Sequence, residues 1–187
     1  MAKLVSKTYG EALFEIAMEA GTGDGNKLDI LYEEVGEVKT ILQDNSDFNK
    51  FLMHPGIPKQ DKLVAMENVF KGKVSDELTG LLRIVIQKER YGDIQSIFDC
   101  FIDLVKEQKG IGVAHITSAV ELSESQKKAV VDRLLETTQY SCIEPEFAVD
   151  AELIGGMIIR IKDRVVDSSV RSKIYDLKRQ LLQIQLG

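Results

Sequence analysis

The organisation of this chain is clearest in residues 150–186, which read DAELIGGMIIRIKDRVVDSSVRSKIYDLKRQLLQIQL. After Gly155-Gly156 comes an apolar, β-branched run from Met157 to Ile161 that is typical of a strand with one buried face. Asp163-Arg164 is predicted to turn the chain, and Val165-Val166 to return it as a second short strand. The stretch therefore predicts two strands joined by a tight polar turn.

A long helix is predicted to follow these strands. Asp167, Ser168 and Ser169 offer side-chain oxygens to the unpaired amides of its first turn, as N-cap residues do. One narrow apolar stripe then runs along the helix at alternating steps of four and three residues: Val170, Ile174, Leu177, Leu181 and Ile184. Two interpretations are open, because the stripe can pack on strands of its own domain or bind another protein.

This segment resembles the C-terminal signature of the delta subunit of F-type ATP synthases, the family of the mitochondrial oligomycin-sensitivity-conferring protein. The residues that carry the resemblance are Gly155, Gly156, Ile158, Arg160, Asp163, Asp167, Ser169, Val170 and Arg171. Two positions depart from the family pattern, since Lys162 and Ser168 stand where glycine is usual. The geometry of this turn therefore depends on whether those glycines supply a positive φ.

The composition is that of an ordinary globular protein. Its 187 residues are 44% hydrophobic and 29% charged. A composition of this kind predicts that most of the chain is folded. A helix that spans a bilayer needs about 20 apolar residues, and no apolar run in this sequence is that long. The sequence after Met1 leads straight into an amphipathic pattern. We expect no signal, transit or transmembrane segment, and a mature chain that starts at or near Met1.

The net charge of −6 is distributed unevenly. Residues 1–105 carry 12 basic and 18 acidic side chains, whereas residues 106–187 carry 12 of each. Within the second part, Arg160 to Arg179 holds seven basic residues against three acidic ones. A nucleic-acid-binding helix is one interpretation of that cluster, but acids interleave with it and no aromatic platform accompanies it, which favours an acidic protein partner.

The first part of the chain predicts an all-helical domain. Apolar residues recur at helical spacing in six segments: Lys3–Ala20, Lys27–Gln43, Asp44–Met53, Pro58–Phe70, Asp76–Lys88 and Asp93–Lys109. Ser75 is predicted to cap the fifth helix. The glycines of Gly21–Gly25 follow a helix and precede no Gly-Lys-Ser/Thr element, so they predict an interhelical loop and not a phosphate site. Short loops between the helices predict a six-helix bundle over residues 1–105.

Two of these helices carry apolar residues on more than one side. On the first, Tyr9, Ala12 and Ile16 belong to the main apolar face, while Phe14 and Met18 lie roughly opposite. The fifth has a face built from Leu78, Leu81, Leu82, Val85 and Ile86. At about 100° per residue, Gly80 and Ile84 fall on another side of it. Either the bundle surrounds this helix, or Gly80 and Ile84 form a shallow groove for a partner.

The character of the sequence changes after Gly110-Ile111-Gly112. Val113–Ala119 alternates as a strand does, Ser123 opens a capping box, and Phe147–Val149 reads as a further strand. Residues 106–187 therefore predict a small α+β domain that ends in the long helix. The fold class is mainly α, with the six-helix bundle preceding this domain.

No catalytic or metal-binding set emerges from the sequence. His54 stands in a loop and His115 in a strand, and neither has a Cys, His or carboxylate neighbour at metal-ligand spacing. Cys100 and Cys142 form no C-x-x-C pair. A small enzyme of unknown type is thus a weak alternative, and we predict no catalytic residues, no cofactor and no small-molecule substrate.

The resemblance implies a function that the residues alone do not. A delta subunit is a non-catalytic stator subunit that links the catalytic alpha/beta head to the peripheral stalk, so that rotor torque is resisted during proton-driven ATP synthesis. The family's N-terminal domain binds the N-terminal helix of an alpha subunit through helices one and five, which makes Tyr9, Ala12, Gly80 and Ile84 candidates here. For Tyr9 and Ala12 a core role is an open alternative.

The resemblance also implies a second partner and a location. The C-terminal domain, residues 106–187, would bind the b subunits of the stalk through the last helix, with Val170, Ile174, Leu177 and Leu181 as candidates. The protein would lie at the cytoplasmic face of a bacterial plasma membrane, held there peripherally through the complex, without nucleic acid. The alternative from another class is a freestanding helical regulatory or nucleic-acid-binding protein that uses the basic C-terminal helix.

Overall fold

The protein is mainly helical with one small four-stranded sheet, as a computed structural model of residues 2–20 and 27–184 shows. The mixture of α and β structure predicted from the sequence is confirmed. The chain divides into two units, Met1–Lys106 and Glu107–Gly187. The loop predicted at Gly21–Gly25 lies outside the described residues.

The regular elements described in the first unit are helices, with one isolated β-bridge between Lys71 and Val74. They are α1 (Ala2–Ala20), α2 (Lys27–Asp44), α3 (Ser46–Met53), α4 (Lys59–Phe70), α5 (Asp76–Gln87) and α6 (Ile94–Gln108), with a 3₁₀ turn at Tyr91–Asp93. The break after α3 falls at His54-Pro55-Gly56, because proline disfavours a helical conformation in the residue before it. Pro58 is the N-cap residue of α4.

The core of this unit is apolar and continuous. Phe98 and Phe101 of α6 are fully buried in it. The stripe of α2 lies in the same cluster, as does the predicted face of α5. All five apolar residues of that α5 face are buried, which confirms the sequence pattern for this helix.

The buried side of α1 differs from the predicted one. Leu13 and Ala17 are buried, but Ala12 and Ile16 are exposed and Phe14 packs against the core. The helix is turned because Gly10 approaches α6 closely: a Cβ built on Gly10 would lie 2.9 Å from the Cβ of Cys100. A pattern of apolar side chains does not register a glycine contact, so the predicted face was wrong on this side.

Ser75 occupies the N-cap position of α5, as predicted, but its hydroxyl does not cap the helix. Its side chain makes no cap hydrogen bond. Instead the hydroxyl of Ser75 donates to Glu34 Oε2 at 2.6 Å, and its backbone N–H donates to the same carboxylate. Both hydrogen bonds go to a charged carboxylate, so they attach the start of α5 to α2.

The second unit is a sheet with two helices. Its elements are β1 (Ile111–Ser118), α7 (Glu124–Thr137), β2 (Cys142–Val149), a 3₁₀ turn at Ala151–Leu153, β3 (Met157–Ile161), β4 (Arg164–Asp167) and α8 (Val170–Ile184). The strand order is β2-β1-β3-β4. β1 and β2 are parallel, and α7 is the crossover that parallel strands require. The predicted capping box at Ser123 is present.

One face of the sheet carries the small core of this unit. Ala114 and Ile116 of β1 point to this face, where Leu134 of α7, Ile143 of β2 and Ile161 of β3 join them. The alternation along β1 confirms the period of two that the sequence predicted. None of the described α8 side chains belongs to this core cluster.

Candidate protein-binding surfaces

A row of three residues lies beside the buried face of α5. Glu77, Gly80 and Ile84 are spaced by three and four residues and so share one side of the helix. Ile84 is 45% exposed although it is apolar. A Cβ built on Gly80 would meet no atom within 4 Å. Close packing within the described part of the chain therefore does not explain the glycine, and the space above it is open.

A matching row runs along α1. Tyr9 is half-buried and packs against the core, whereas Ala12 and Ile16 are exposed. α1 packs against α5 in this unit. Tyr9 therefore contributes partly to the core, which was the alternative to a binding role, whereas Ala12 does not. Sequence reasoning missed Ile16 as a surface residue, and the signal that could have found it is Gly10, which turns the helix.

Ion pairs frame the exposed side of α5. Lys27 Nζ lies 2.5 Å from Glu77 Oε1, and Arg83 pairs with Glu67 of α4. The hydrogen bond from Lys27 holds the pKa of the Glu77 carboxyl below its usual value of 4.5. Lys27 therefore offsets the charge of Glu77 at the start of this row.

In the second unit, the hairpin of the signature turns one residue earlier than predicted. Ile161 pairs with Arg164 across β3 and β4, so Lys162 and Asp163 form the turn. Lys162 adopts a left-handed backbone with φ +51°. Lys162 is one of the two positions at which the resemblance implied glycine, and here a lysine takes the left-handed conformation. Ser168 has no such φ, and its hydroxyl donates to Met157 O at 2.8 Å.

Gly156 is required by the close approach of two segments. Its φ is +79°, and a Cβ there would lie 2.4 Å from the backbone oxygen of Ser168. The neighbouring Gly155 accepts a hydrogen bond from the N–H of Val170 at 2.9 Å. The two glycines thus allow the strand segment to lie directly against the start of α8.

A network of oxygens then begins α8. Asp167 Oδ1 accepts from the N–H of Ser169 at 2.8 Å, and its Oδ2 accepts from the hydroxyl of Ser172 at 2.6 Å. Ser169 Oγ accepts from the N–H of Ser172. The hydrogen bond from the Ser172 hydroxyl, followed by that from the Ser169 N–H, lowers the pKa of Asp167 below its usual 3.8. The sequence prediction of side-chain oxygens at this helix start is confirmed.

The structure brings most of the signature residues together around this helix start. Arg171 Nη1 lies 3.2 Å from Glu152 Oε2, which ties α8 to the 3₁₀ turn before β3. Gly155, Gly156 and Ser169 are within the same junction. Asp163 is not, because it lies in the turn at the other end of β4.

The apolar stripe of α8 is largely uncovered within its unit. Ile174, Leu177 and Leu181 are exposed, and Val170 is the least exposed member because it packs beside Gly155. Packing on strands of the same unit, the first interpretation of this stripe, is therefore not found. The side chain of Ile184 lies outside the described residues.

Other features of the described residues provide no catalytic arrangement. His54 Nδ1 accepts from the N–H of Gly56, and His115 Nδ1 lies 2.7 Å from Glu146 Oε2 on an exposed sheet face. Burial raises the pKa of the Cys100 thiol. Residues 2–20 and 27–184 hold no group of three or more side chains suited to a metal ion. None of the helices in these residues could span a bilayer.

One open depression lies between α2 and α6. Its volume is about 570 Å³. Tyr32, Gly36, Ile41 and Ile102 line it, together with two glutamates of α2. Its mouth is open, so it is not an enclosed substrate pocket.

Comparison with known proteins gives matches along nearly the whole chain. The family model for the ATP synthase delta (OSCP) subunit matches residues 5–181. The ATP synthase subunit delta of Lachnoclostridium phytofermentans is 53% identical over 187 residues, which are 100% of each chain. That of Desulforamulus reducens is 32% identical over 178 residues, 95% of each chain.

A solved structure shares the fold. A chain in the Toxoplasma gondii mitochondrial ATP synthase hexamer has a TM-score of 0.75 to this chain at 20% sequence identity. The match covers 95% of this chain and 97% of that one. The arrangement of helices and sheet is therefore one that is found in an ATP synthase assembly.

Proposed function

This chain belongs to the ATP synthase delta (OSCP) subunit family, and from that membership we propose how its two surfaces connect the complex. It is a non-catalytic stator subunit of an F-type ATP synthase and a peripheral part of that complex. The rotor exerts torque on the catalytic head, and the stator resists it. The observation that carries this conclusion is the 53% identity to a delta subunit along the full chain. It does not favour the alternative of a nucleic-acid-binding protein.

The first surface is a proposed site for the N-terminal helix of an alpha subunit. We assign it to a six-helix bundle, residues 1–105, and to Tyr9, Ala12, Gly80 and Ile84. Two features of the structure support it: Ile84 is exposed although apolar, and the space above Gly80 is open. A helix can place its apolar side in a groove of this kind, where a glycine allows close approach.

The test is titration of the full chain with a peptide of the alpha subunit's N-terminal helix. Ile84→Glu should lower the affinity at least about tenfold, because it places a charge in an apolar contact. Ile41→Glu is the matched control, since Ile41 is 43% exposed but lies in the α2–α6 depression. Equal affinity of the Ile84→Glu variant and the unaltered chain would move the site elsewhere.

The second surface is a proposed site for the distal ends of the stalk b subunits. It comprises Val170, Ile174, Leu177 and Leu181, on residues 106–187. Support comes from the exposure of the stripe and from the rigid start of α8, where the Asp167 network sets the direction of the helix. An apolar stripe of this spacing matches a helical partner.

Two substitutions on the same helix test the stalk site. Leu177→Glu should abolish saturable binding of a recombinant fragment that carries the distal helical end of the b subunit. Leu182→Glu should leave that binding nearly unchanged, because Leu182 is equally apolar and 51% exposed, against 58% for Leu177, but points about 140° away. Equal losses in the two variants would show that general helix disruption, and not the stripe, governs binding.

The location follows from the partners. With the alpha and b subunits bound, the protein would lie at the cytoplasmic face of a bacterial plasma membrane, associated with the membrane through the complex. Fractionation of cells with and without the b subunit tests this. Retention in the membrane fraction should require the b subunit or the catalytic head, and unchanged retention without either would contradict the proposal.

A further inference from the structure

We propose that Ile154 belongs to the surface through which the second unit binds the stalk, and that the segment seated there is a helix with acidic residues beside its apolar stripe. The inference rests on the proposed stalk interface. It adds to that interface a residue outside α8, and it states the chemistry of the partner.

The backbone of Ile154 is unusual for its side chain. Its φ is +66° and its ψ is −38°. A positive φ is a genuine outlier for a β-branched residue, since glycine and asparagine adopt this region far more readily. Ile154 is also 68% exposed, so its side chain gains little from packing within the unit. Strained residues of this kind concentrate at binding sites.

Hydrogen bonds on the N-terminal side hold this conformation. Asp150 Oδ1 accepts from the N–H of Glu152 at 2.9 Å, which fixes the 3₁₀ turn. The N–H of Ile154 then donates to Ala151 O at 3.1 Å. The side chain of Ile154 is therefore presented in one direction by a backbone that cannot relax freely.

Ile154 stands at the start of the α8 stripe. The next residue, Gly155, accepts a hydrogen bond from the N–H of Val170, and a Cβ on it would lie 3.0 Å from Val170 Cγ2. The ion pair between Glu152 and Arg171 fixes the same junction from the other side of Ile154. Ile154 thus precedes by one residue the backbone segment that contacts Val170, the first stripe residue, and it carries an exposed apolar side chain at this junction.

The charges around the stripe identify the partner. At about 100° per residue, Lys173 and Lys178 lie on opposite flanks of the stripe. Neither has an ion-pair partner within residues 2–20 and 27–184, and Asp176 is the one acidic residue of the described α8 side chains. A helix with acidic flanks would place its carboxylates opposite both lysines, which is the arrangement of complementary charges beside an apolar seam.

The test measures binding and stability together in the full chain. The probe is the b-subunit fragment used above. Ile154→Asn should lower the affinity at least fivefold without lowering the melting temperature, because the replaced side chain is 68% exposed and asparagine is not branched at Cβ. Ile154→Leu should keep the affinity within twofold, since it retains the apolar volume. Val120→Asn is the matched control: Val120 is also 68% exposed, and its replacement should change neither quantity.

The outcomes separate this inference from the proposed function. Unchanged affinity in Ile154→Asn, together with lost binding in Leu177→Glu, would overturn the role of Ile154 and leave the stalk site standing. Absence of saturable binding by the unaltered chain would overturn both. If Ile154→Asn weakens binding to vesicles of anionic phospholipid and not to the b fragment, the occupant is a lipid surface and the proposed partner is wrong.

Discussion

Two helices of this protein have similar amphipathic patterns and opposite surroundings. α5 carries Leu78, Leu81, Leu82, Val85 and Ile86, all of them buried in the first unit. α8 carries Val170, Ile174, Leu177 and Leu181 at comparable spacing, all exposed in the second. Each apolar stripe requires a covering surface, but only α5 finds one inside its unit.

The difference teaches what amphipathicity measures. A period of 3.6 residues reports that one side of a helix avoids water, and it does not report which molecule covers that side. In the first unit, the other helices supply the cover. In the second, the small sheet uses its core face to bind α7, and the stripe of α8 remains available for a partner.

The largest expected effect comes from the same substitution in both stripes. Leu82→Ala should lower the free energy of unfolding of the first unit by about 2–5 kcal/mol, because it leaves a cavity at a buried site. Leu177→Ala should change that of the second unit by less than about 0.5 kcal/mol. Amide hydrogen exchange along a urea series measures each unit separately. Equal losses would mean that the α8 stripe is covered in the isolated chain.

Glycine-to-alanine substitutions should change the free energy of unfolding in opposite directions in the two units. Gly156→Ala should destabilise the second unit by about 1–3 kcal/mol or more, because the new Cβ meets the Ser168 backbone and the φ is positive. Gly80→Ala should stabilise the first by up to about 1 kcal/mol, because the Cβ enters open space in a helix. Thermal unfolding with segment-resolved exchange checks both. A destabilising Gly80→Ala would indicate packing on Gly80 within the chain.

A smaller stabilisation is expected where each unit places a non-glycine residue in the left-handed region. Lys162 has φ +51° in the second unit and Glu89 has φ +55° in the first. Replacing either with glycine should raise the free energy of unfolding by up to about 1 kcal/mol, since the steric cost exceeds the added chain entropy. Chemical denaturation measures this. Lys162→Ala is the control, because alanine keeps the strain and should give no gain.

The smallest effects are changes in the pKa values of two carboxyl groups. They distinguish a carboxyl that is hydrogen-bonded to a neutral hydroxyl from one that is hydrogen-bonded to a charged lysine. The pKa of Asp167 is lowered mainly by the Ser172 hydroxyl, whereas that of Glu77 is lowered mainly by Lys27. Because both folded pKa values lie below their unfolded values, each contribution is present above the unfolded pKa and is lost as the pH falls through the folded one. For Asp167 the loss therefore occurs below pH 3.8.

Carboxyl NMR titration measures both midpoints. Ser172→Ala should raise the midpoint of Asp167 and leave that of Glu77 unchanged, and Lys27→Met should do the reverse. Added salt should raise the midpoint of Glu77 more than that of Asp167, because ions screen the charged lysine and not the hydroxyl. Equal responses to salt would show that charge governs both sites.

Much of the fold could be predicted from the sequence because its local signals agree. The stop at His54-Pro55-Gly56, the capping box at Ser123 and the alternation in β1 each depend on neighbouring residues alone. The errors share a different cause. The hydroxyl of Ser75 binds Glu34, 41 residues away, and so does not cap α5, and the face of α1 was misassigned because Gly10 contacts α6.

In the candidate surfaces, too, some residues could be identified from the sequence and others could not. Ile84 was identified from its position off the main stripe, and its exposure agrees with that prediction. Ile16 was assigned to the main apolar face of the first helix, and it is exposed. Ile154 gave no signal at all, because neither a positive φ nor a missing neighbour can be read from an isoleucine in a chain.

The sequence by itself determined the helices, the strands, the start of α8 and the family, since these depend on periodicity, caps and a local signature. Only the tertiary structure decided which side of α1 is buried, that Lys162 takes the left-handed conformation, and that the α8 stripe stays uncovered in its unit. The physical reason is that burial is a property of two surfaces. The sequence shows which side of a helix is apolar, and only the folded chain shows which other surface covers that side.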